Sequence, residues 1–315
     1  MKVLIRSPHH AAEIATAVRA ILGVEPVVIE DATTCACEIA DADALLCQPS
    51  QITPGIVEAM EHSRSLRWLQ VLGSGTDKLA SLRHRTDLVI TNAADAYGDA
   101  VAEHALTLAL ALIRRIPEMM DAQAGRRWLK ADIDGRLDSL EGSRAAVVGF
   151  GAIGKALTRR LEALGADVLA VRRHPDQPPP EGFAHVPFLP LADALPLADT
   201  LFLAVPLTSE TCGLIDEESL CLLPRGARLI NVSRGDVIAT DALIAALETG
   251  ALAGAALDVF PTEPPDPRSP LWSAPNLIIS PHVAGRGNRM VSARMLDICE
   301  RNLTAFAHSE KRQDR

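Results

Sequence analysis

The sequence lacks any apolar run approaching the ~20 residues that a membrane-spanning helix requires. Its first residues, Met1 to Arg6, resemble a short strand and lack the apolar core of a secretory signal peptide. No Lys/Arg-rich block is present, and 31 basic residues against 40 acidic ones give a formal net charge of −9. We therefore expect neither a membrane nor nucleic acid among the partners of this protein.

The six cysteines also lack the spacing of a metal or redox motif. Cys35 and Cys37 are separated by one residue, which fits neither the usual zinc spacing nor a C-x-x-C pair. His9 and His10 are adjacent, but no third ligand can be nominated for them. The sequence therefore predicts no metal site, and scattered reduced thiols are typical of a cytoplasmic protein.

The pattern of apolar segments predicts an α/β protein with two domains. A chain of 315 residues is long enough to form two hydrophobic cores. Its composition, with 48% hydrophobic and 23% charged residues, is typical of globular proteins. Residues 1 to about 92 alternate short strands with helices, which predicts a small α/β domain. A long helix from Asp99 to about Arg115 is apolar on more than one face, which suits burial between domains or subunits. Beyond residue 144, near-continuous apolar strands separated by helices predict a parallel sheet covered on both faces.

Residues 144–173 carry the clearest motif. The strand Ala145–Val148 leads into Gly149-Phe150-Gly151-Ala152-Ile153-Gly154, and a helix and a second strand follow. Alone, G-x-G-x-x-G is a weak signal, but within one βαβ unit it is the fingerprint of dinucleotide binding, with a structural glycine turn as the alternative. The first glycine allows a tight turn, the second lets the pyrophosphate approach the backbone, and the third lets helix pack on strand. The pyrophosphate would lie at the positive end of the helix.

The end of this βαβ unit bears on the choice of cofactor. NAD-binding units usually place an acid about 20 residues past the fingerprint, where it binds the ribose 2′-hydroxyl. This chain has Arg172 and Arg173 there. Guanidinium groups suit a 2′-phosphate, which predicts a preference for NADP(H), with NAD(H) still possible. A solvated strand end is the alternative interpretation.

Polar residues also follow several of the predicted strands. Arg234, Glu263 and His282 each come at or after a strand end. Ligands of open parallel sheets bind beyond the carboxyl ends of the strands, so this common placement predicts a shared site. In the first domain, the Gly73-Ser74-Gly75 turn has backbone N–H groups that could bind a carboxylate. The alternative interpretation is a plain turn between a strand and a helix. Glu103-His104, inside the long helix, is interpreted as structural hydrogen bonding, with a catalytic role as the alternative.

Together these residues resemble the D-isomer-specific 2-hydroxyacid dehydrogenases, over nearly the whole chain. The matching stretches are Gly73-Ser74-Gly75-Thr76-Asp77, Ala100-Val101-Ala102-Glu103-His104, Val148 to Gly154, Val205-Pro206-Leu207-Thr208 with Thr211 and Gly213, Leu229 to Gly235, Ala256-Leu257-Asp258-Val259-Phe260 with Glu263-Pro264, and Pro281-His282-Val283-Ala284-Gly285. The resemblance implies an NAD(P)-dependent oxidoreductase acting on the CH–OH group of a 2-hydroxy acid.

The resemblance also implies a domain arrangement. A doubly wound parallel-sheet (Rossmann) cofactor domain would be inserted into a smaller flavodoxin-like α/β substrate domain. The substrate domain would comprise residues 1–95 and 287–315, because the last helix returns to it. The cofactor domain would comprise residues 96–286, including the long helix and the connecting arm after it. A homodimer built around that helix is implied as well.

Roles for individual residues come from the same resemblance. His282 would be the general acid/base, Glu263 would pair with it and favour its imidazolium form, and Arg234 would bind the substrate carboxylate and polarise the keto oxygen. Backbone N–H groups of Ser74 and Gly75 would complete the carboxylate site. The implied cofactor-binding residues are Gly149, Gly151, Ala152, Ile153, Gly154, Arg172, Arg173, Val205, Pro206, Val232, Asp258, His282 and Gly285. Of these, Ala152 and Ile153 would meet the pyrophosphate and Asp258 the nicotinamide carboxamide.

The leading hypothesis is an NADPH-dependent reductase of a small 2-keto acid, of the glyoxylate and hydroxypyruvate type. Glu263 argues against formate dehydrogenase, whose relatives carry glutamine there, and Ser74 argues against the phosphite-oxidising relatives, which carry lysine. D-3-phosphoglycerate and other D-2-hydroxy acids remain alternatives. From a different class, a cofactor-sensing binding protein like the C-terminal-binding corepressors is the competing hypothesis. The stretch Arg286-Gly287-Asn288 lacks the threonine common in the family.

Overall fold

A computed structural model of the protein describes residues 1–286 and 289–313. Two compact units are present: Met1–Tyr97 with Asn288–Arg315, and Gly98–Gly287. Each unit contains its own parallel sheet, which confirms the predicted α/β class. Residues 287 and 288, where the sequence analysis placed the second domain boundary and part of the missing-threonine stretch, lie outside the described residues.

The first unit is built on five short strands. These are β1 (Val3–Arg6), β2 (Val27–Val28), β3 (Ala44–Cys47), β4 (Trp68–Val71) and β5 (Val89–Asn92). All pair in parallel, in the order β2-β1-β3-β4-β5. This is the flavodoxin-like doubly wound order. Every residue of β1, β3 and β4 is buried, because helices cover both faces of the sheet.

The helices of this unit pack on the two faces of that sheet. They are α1 (Ala11–Leu22), α2 (Ala32–Glu38), α3 (Pro54–His62) and a C-terminal helix, Arg289–Gln313. On one face Val18 of α1 and Leu303 of the C-terminal helix share a core. Trp68 of β4 stacks on Phe306 of the C-terminal helix with ring centroids 4.9 Å apart. On the other face Cys35 and Ile56 belong to a second core.

The second unit is built on seven parallel strands. These are β6 (Arg144–Val148), β7 (Asp167–Val171), β8 (Phe188–Leu189), β9 (Thr200–Leu203), β10 (Ala227–Asn231), β11 (Leu252–Leu257) and β12 (Leu277–Ile279). Their order is β8-β7-β6-β9-β10-β11-β12. The chain proceeds outward from β6 in one direction through β7 and in the other through β9. The switch point between β6 and β9 is where doubly wound sheets bind dinucleotides.

Within its described residues, the second unit contains seven α-helices. They are α4 (Gly98–Ile113), α5 (Ile116–Ala124), α6 (Lys130–Ile133), α7 (Ala152–Ala163), α8 (Leu191–Ala194), α9 (Glu217–Leu222) and α10 (Thr240–Glu248). Helix α4 packs closely on α7, and a Cβ at Gly98 would lie only 3.0 Å from the carbonyl of Ala152. Among the helices described in either unit, none is long and apolar enough to cross a membrane.

The ends of several elements are set by local features. Helix α10 begins at Thr240, and its N-cap is Ala239, which makes no side-chain cap bond. Strand β9 ends at Leu203, before Val205 and Pro206. The connecting arm predicted after the long helix contains helices α5 and α6. A proline lies in the first turn of α5, where its missing N–H is not needed.

Candidate active site

The candidate site lies at the carboxyl edge of the seven-stranded sheet. The last residues of three neighbouring strands are in register, with Asn231 opposite Leu257 and Leu257 opposite Ile279. Arg234, Asp258 and His282 therefore follow adjacent strand ends. The fingerprint glycines follow β6 at the same edge, since all seven strands are parallel.

The three glycines of the fingerprint occupy different environments. Gly149 has a φ of +97°, and a Cβ there would lie 2.5 Å from the carbonyl oxygen of Ala204 beyond β9. A Cβ at Gly154 would lie 2.1 Å from the carbonyl oxygen of Gly149. A Cβ at Gly151 would meet nothing within 4 Å among the described residues. The fold itself requires the first and third glycines, whereas the space beside the second is open to a ligand.

Helix α7 presents its amino terminus to that open space. It begins at Ala152 with Gly151 as the N-cap, and no side chain of the described residues caps it. The N–H groups of a first helical turn need partners from outside the helix, and the helix dipole favours an anion there. The glycine environments and the uncapped helix together fit the pyrophosphate of a dinucleotide, for which the backbone N–H groups of Ala152 and Ile153 are the predicted ligands.

The two predicted 2′-phosphate ligands behave differently. Arg172 donates to the carbonyl oxygens of Pro175, Gln177 and Pro178, with a 3.2 Å bond to Pro175. Its guanidinium carbon also lies 4.1 Å from the ring centroid of Phe188. Arg172 thus organises the loop that follows β7. The Arg173 side chain is 61% exposed and pairs with Glu210, which sequence reasoning missed.

The structure brings Glu263 and His282 together. Nδ1 of His282 lies 2.6 Å from Oε2 of Glu263. The other carboxylate oxygen, Oε1, accepts a 3.0 Å bond from the backbone N–H of Phe260. Glu263 is therefore oriented by its own loop while it orients the imidazole. With 51% of the His282 side chain exposed, the ring is accessible to a small ligand.

Arg234 is placed by a turn that closes on Asn231. The Asn231 side chain is fully buried; its Oδ1 accepts from the N–H of Ser233 at 2.9 Å, and its Nδ2 donates to the Arg234 carbonyl at 2.9 Å. Arg234 itself is half-buried and donates from Nη1 to the Ser233 carbonyl at 2.6 Å. A Cβ at Gly235 would lie 2.0 Å from the backbone of Phe260. The Arg234 turn and the Glu263 loop therefore pack directly against each other.

Asn231 did not emerge from the sequence analysis, although its side chain fixes the candidate substrate arginine. An asparagine that bonds to the backbone two residues later is a recognisable turn pattern, and this was the available signal. His104 is hydrogen bonded as the sequence predicted: its Nε2 lies 2.9 Å from Oγ of Ser280. Ser280, which is buried, is a further residue of the site that the sequence analysis did not single out.

The remaining predicted residues lie where the strand order puts them. Val205 and Pro206 follow β9, Val232 follows β10, and Gly285 follows the His282 turn. Ser74 and Gly75 belong to the first unit, in the turn after β4, and Ser74 is exposed. A Cβ at Gly73 in that turn would lie 2.6 Å from a side-chain carbon of Pro49. In the same unit the Tyr97 hydroxyl donates to the carbonyl of Leu72 at 3.0 Å.

A doubly wound sheet with a dinucleotide fingerprint and a histidine–carboxylate pair at the same edge defines a nicotinamide-dependent dehydrogenase. The family profile for the D-isomer specific 2-hydroxyacid dehydrogenase, NAD binding domain, matches residues 106–284. A glyoxylate reductase of Thermococcus gammatolerans is 34% identical over 281 residues, 87% of this chain and 82% of its own length. The chain belongs to the D-isomer specific 2-hydroxyacid dehydrogenase family. It is an NAD(P)-dependent oxidoreductase that acts on the CH–OH group and reduces a 2-keto acid.

Solved structures agree with this assignment. An NADPH-dependent glyoxylate/hydroxypyruvate reductase of Sinorhizobium meliloti, in complex with NADP and malonate, is 30% identical with a TM-score of 0.75, covering 97% of this chain and 93% of its own. A D-isomer specific 2-hydroxyacid dehydrogenase of Xanthobacter autotrophicus, in complex with NADPH and MES, is 27% identical with a TM-score of 0.76, covering 96% and 95%.

The glycine environments give a direct test of cofactor binding. Gly151→Ala should leave the protein folded, because its Cβ has room, yet weaken NADPH binding by roughly tenfold or more, because the methyl group would occupy the pyrophosphate space. Fluorescence titration with NADPH and thermal unfolding measure the two effects. Gly55→Ala, also unhindered and in the first turn of α3, is the matched control. Unchanged NADPH affinity in Gly151→Ala would contradict this placement of the cofactor.

Proposed function

We propose that this protein reduces a small 2-keto acid of the glyoxylate and hydroxypyruvate type to the D-2-hydroxy acid, with NADPH as the preferred hydride donor. The observation that carries the proposal is the His282–Glu263 pair beside the fingerprint edge of the sheet. The names and the NADP complex of the relatives support it. The enzyme would act in the cytoplasm, where its thiols stay reduced.

The proton chemistry follows from the orientation of the imidazole. Because Nδ1 of His282 bonds to the Glu263 carboxylate, Nδ1 carries a hydrogen and Nε2 is left to face the substrate. In the reduction, the imidazolium would give its Nε2 proton to the keto oxygen while the carbon accepts a hydride. The Glu263 carboxylate accepts the Nδ1 hydrogen and so holds the ring in the orientation that this step requires. When bound, the dihydronicotinamide supplies the hydride.

The substrate carboxylate would be bound by Arg234. A guanidinium forms two parallel hydrogen bonds to a carboxylate, which orients the keto carbon as well as binding the acid. The buried Asn231 side chain fixes the backbone on both sides of this arginine, so little reorganisation would be needed on binding. Ser74 and Gly75 of the first unit stay predicted carboxylate ligands through their backbone N–H groups.

Replacement of His282 tests the proposed chemistry. His282→Ala should lower kcat for glyoxylate or hydroxypyruvate by roughly 10²- to 10⁴-fold, because the general acid is lost, while NADPH affinity stays largely intact. The decay of NADPH absorbance with a panel of keto acids measures turnover in both proteins. Wild-type turnover matched by His282→Ala would remove the histidine from the mechanism. A wild-type enzyme that binds NADPH but reduces none of these acids would favour the cofactor-sensing alternative.

The cofactor preference would depend on Arg173 rather than Arg172. Arg172 is engaged with carbonyl oxygens of its own loop, whereas Arg173 extends into solvent beside the end of β7. An ion pair between exposed side chains contributes little free energy, so Glu210 could release Arg173 to a 2′-phosphate at small cost. The carboxylate that NAD-specific units place at this position is missing here.

Arg173→Gln should therefore raise KM for NADPH by about tenfold and leave KM for NADH nearly unchanged, because only NADPH carries the 2′-phosphate. Steady-state kinetics with both cofactors give the ratio. Arg268→Gln, which removes an exposed arginine paired with Asp266, is the matched control. Equal losses with NADPH and NADH, or catalytic efficiency with NADH that already equals or exceeds that with NADPH in the wild type, would contradict the preference.

We also infer that the protein is a homodimer. Apolar side chains of α5 and of the segment after it are exposed: Ile116 is 43%, Met120 57% and Trp128 89% exposed. Large apolar side chains grouped in this way are typical of an interface. The resemblance implies a dimer through the same long helix and arm.

Trp128→Ser should weaken the dimer, because it removes the most exposed large apolar side chain of this segment. Size-exclusion chromatography with light scattering, over a dilution series, measures the monomer fraction. Trp272→Ser, at a 53% exposed tryptophan outside this segment, is the control and should leave the dimer unchanged. A wild-type protein that is monomeric at every concentration would contradict the inference.

A further inference from the structure

The backbone around His282 is held by the buried carboxylate of Asp258. This side chain is 1% exposed. Its Oδ1 accepts from the N–H of Val283 at 3.0 Å, and its Oδ2 accepts from the N–H of Ala284 at 2.9 Å. On the other side of His282, the Ser280 hydroxyl donates to the same Oδ1. Asp258 therefore fixes the residues that flank the catalytic histidine on both sides.

His282 needs this support because of its own conformation. Its φ is +53°, in the left-handed region that residues with a Cβ rarely occupy. Such a conformation costs free energy and persists only where surrounding contacts impose it. The hydrogen bonds of Asp258 to the next two amides, and the bond from the His282 N–H to the Ser280 carbonyl at 3.1 Å, are the contacts that do so here.

His104 of helix α4 completes this arrangement from outside the loop. Its Nε2 lies 2.9 Å from Oγ of Ser280 and 3.4 Å from Oδ1 of Asp258. A serine hydroxyl has one hydrogen, and that of Ser280 is directed to Asp258. Nε2 of His104 must therefore carry a hydrogen and donate it to Ser280. Both polar neighbours of this nitrogen are buried, so losing the donor would leave the Ser280 oxygen short of a hydrogen bond and would remove the ring nitrogen from beside Asp258.

We propose that His104 is a positioning residue for the reaction, acting through Ser280 and Asp258 to keep His282 in the orientation that pairs it with Glu263. The proposal rests on the proposed role of His282. Helix α4 also packs on α7, the helix of the dinucleotide fingerprint. A single rigid helix thus contacts both the cofactor-binding element and the network that holds the acid/base residue.

Three variants separate positioning from simple structural support. His104→Leu removes the donor with similar bulk, and His104→Gln can place an amide N–H near the position of Nε2. Ser280→Ala removes the intermediary. His185→Leu, at a histidine that is 63% exposed and pairs with Glu162, is the matched control. The measurements are kcat with a keto acid, NADPH affinity, thermal unfolding, and the NMR signal of the His282 Nδ1 proton in protein labelled with ¹⁵N-histidine.

We expect His104→Leu to lower kcat about tenfold with NADPH affinity unchanged, and His104→Gln to recover most of this loss. The hydrogen-bonded Nδ1 proton signal of His282 should shift or broaden in His104→Leu and return in His104→Gln. Ser280→Ala combined with His104→Leu should cost little more than either change alone, because both break the same network. His185→Leu should match the wild type in every measurement.

Two results would overturn the proposal. One is a His104→Leu protein whose kcat and His282 signal match the wild type. The other is a loss that His104→Gln does not restore and that accompanies a lower unfolding temperature and weaker NADPH binding, since that pattern marks a structural role. If the wild type itself reduced no keto acid, the proposed function would fail, yet the NMR signal would still test whether His104 orients His282.

Discussion

The all-parallel pairing of the seven strands is the constraint on which the site depends. Because every carboxyl end of the sheet faces the same edge, residues distant in sequence are gathered there without a long loop. The in-register ends of β10, β11 and β12 place Arg234, Asp258 and His282 after neighbouring strands. The switch point between β6 and β9 lies at that edge, where doubly wound sheets bind dinucleotides. The proposed substrate and cofactor sites thus both follow from one strand order.

Close packing of backbone and buried polar groups refines this placement. The turn that carries Arg234 packs against the loop that carries Glu263 where Gly235 contacts Phe260. A residue with a Cβ at position 235 would displace the backbone of Phe260. Asn231 and Asp258, both buried, direct their polar atoms to the backbone of the turns that carry Arg234 and His282. The half-exposed side chains of Arg234 and His282 are thereby oriented by buried side chains whose hydrogen bonds are already made. Such preorganisation lowers the free-energy cost of binding a ligand.

The sequence predicted the features that local chemistry determines. Near-continuous apolar runs located the strands, and the glycine spacing located the fingerprint, where each glycine has the environment expected of it. Arg234, Glu263 and His282 were predicted as site residues because they follow strand ends, and the structure pairs Glu263 with His282. Helix α2 was missed, since its Thr33-Thr34-Cys35 run favours a helix weakly and its signal was the N-cap Asp31, which accepts from Thr34.

Other features depend on contacts that a sequence does not display. His104 and Ser280 are 176 residues apart, so no local pattern could pair them. The commitment of Arg172 to its own loop depends on how the chain after β7 folds back, whereas its neighbour Arg173 stays exposed. Two adjacent arginines that look equivalent in sequence therefore have different chemistry in the fold.

In the proposed reaction, the imidazole of His282 and the guanidinium of Arg234 act on one keto acid beside the bound nicotinamide. A crystal structure with NADP and oxamate, an unreactive mimic of a 2-keto acid, tests it most directly. We predict Nε2 of His282 within about 2.6–3.2 Å of the mimic's carbonyl oxygen, and its carboxylate on Arg234. An oxamate bound away from both side chains, or a His282 whose Nε2 points away from the nicotinamide, would contradict the account.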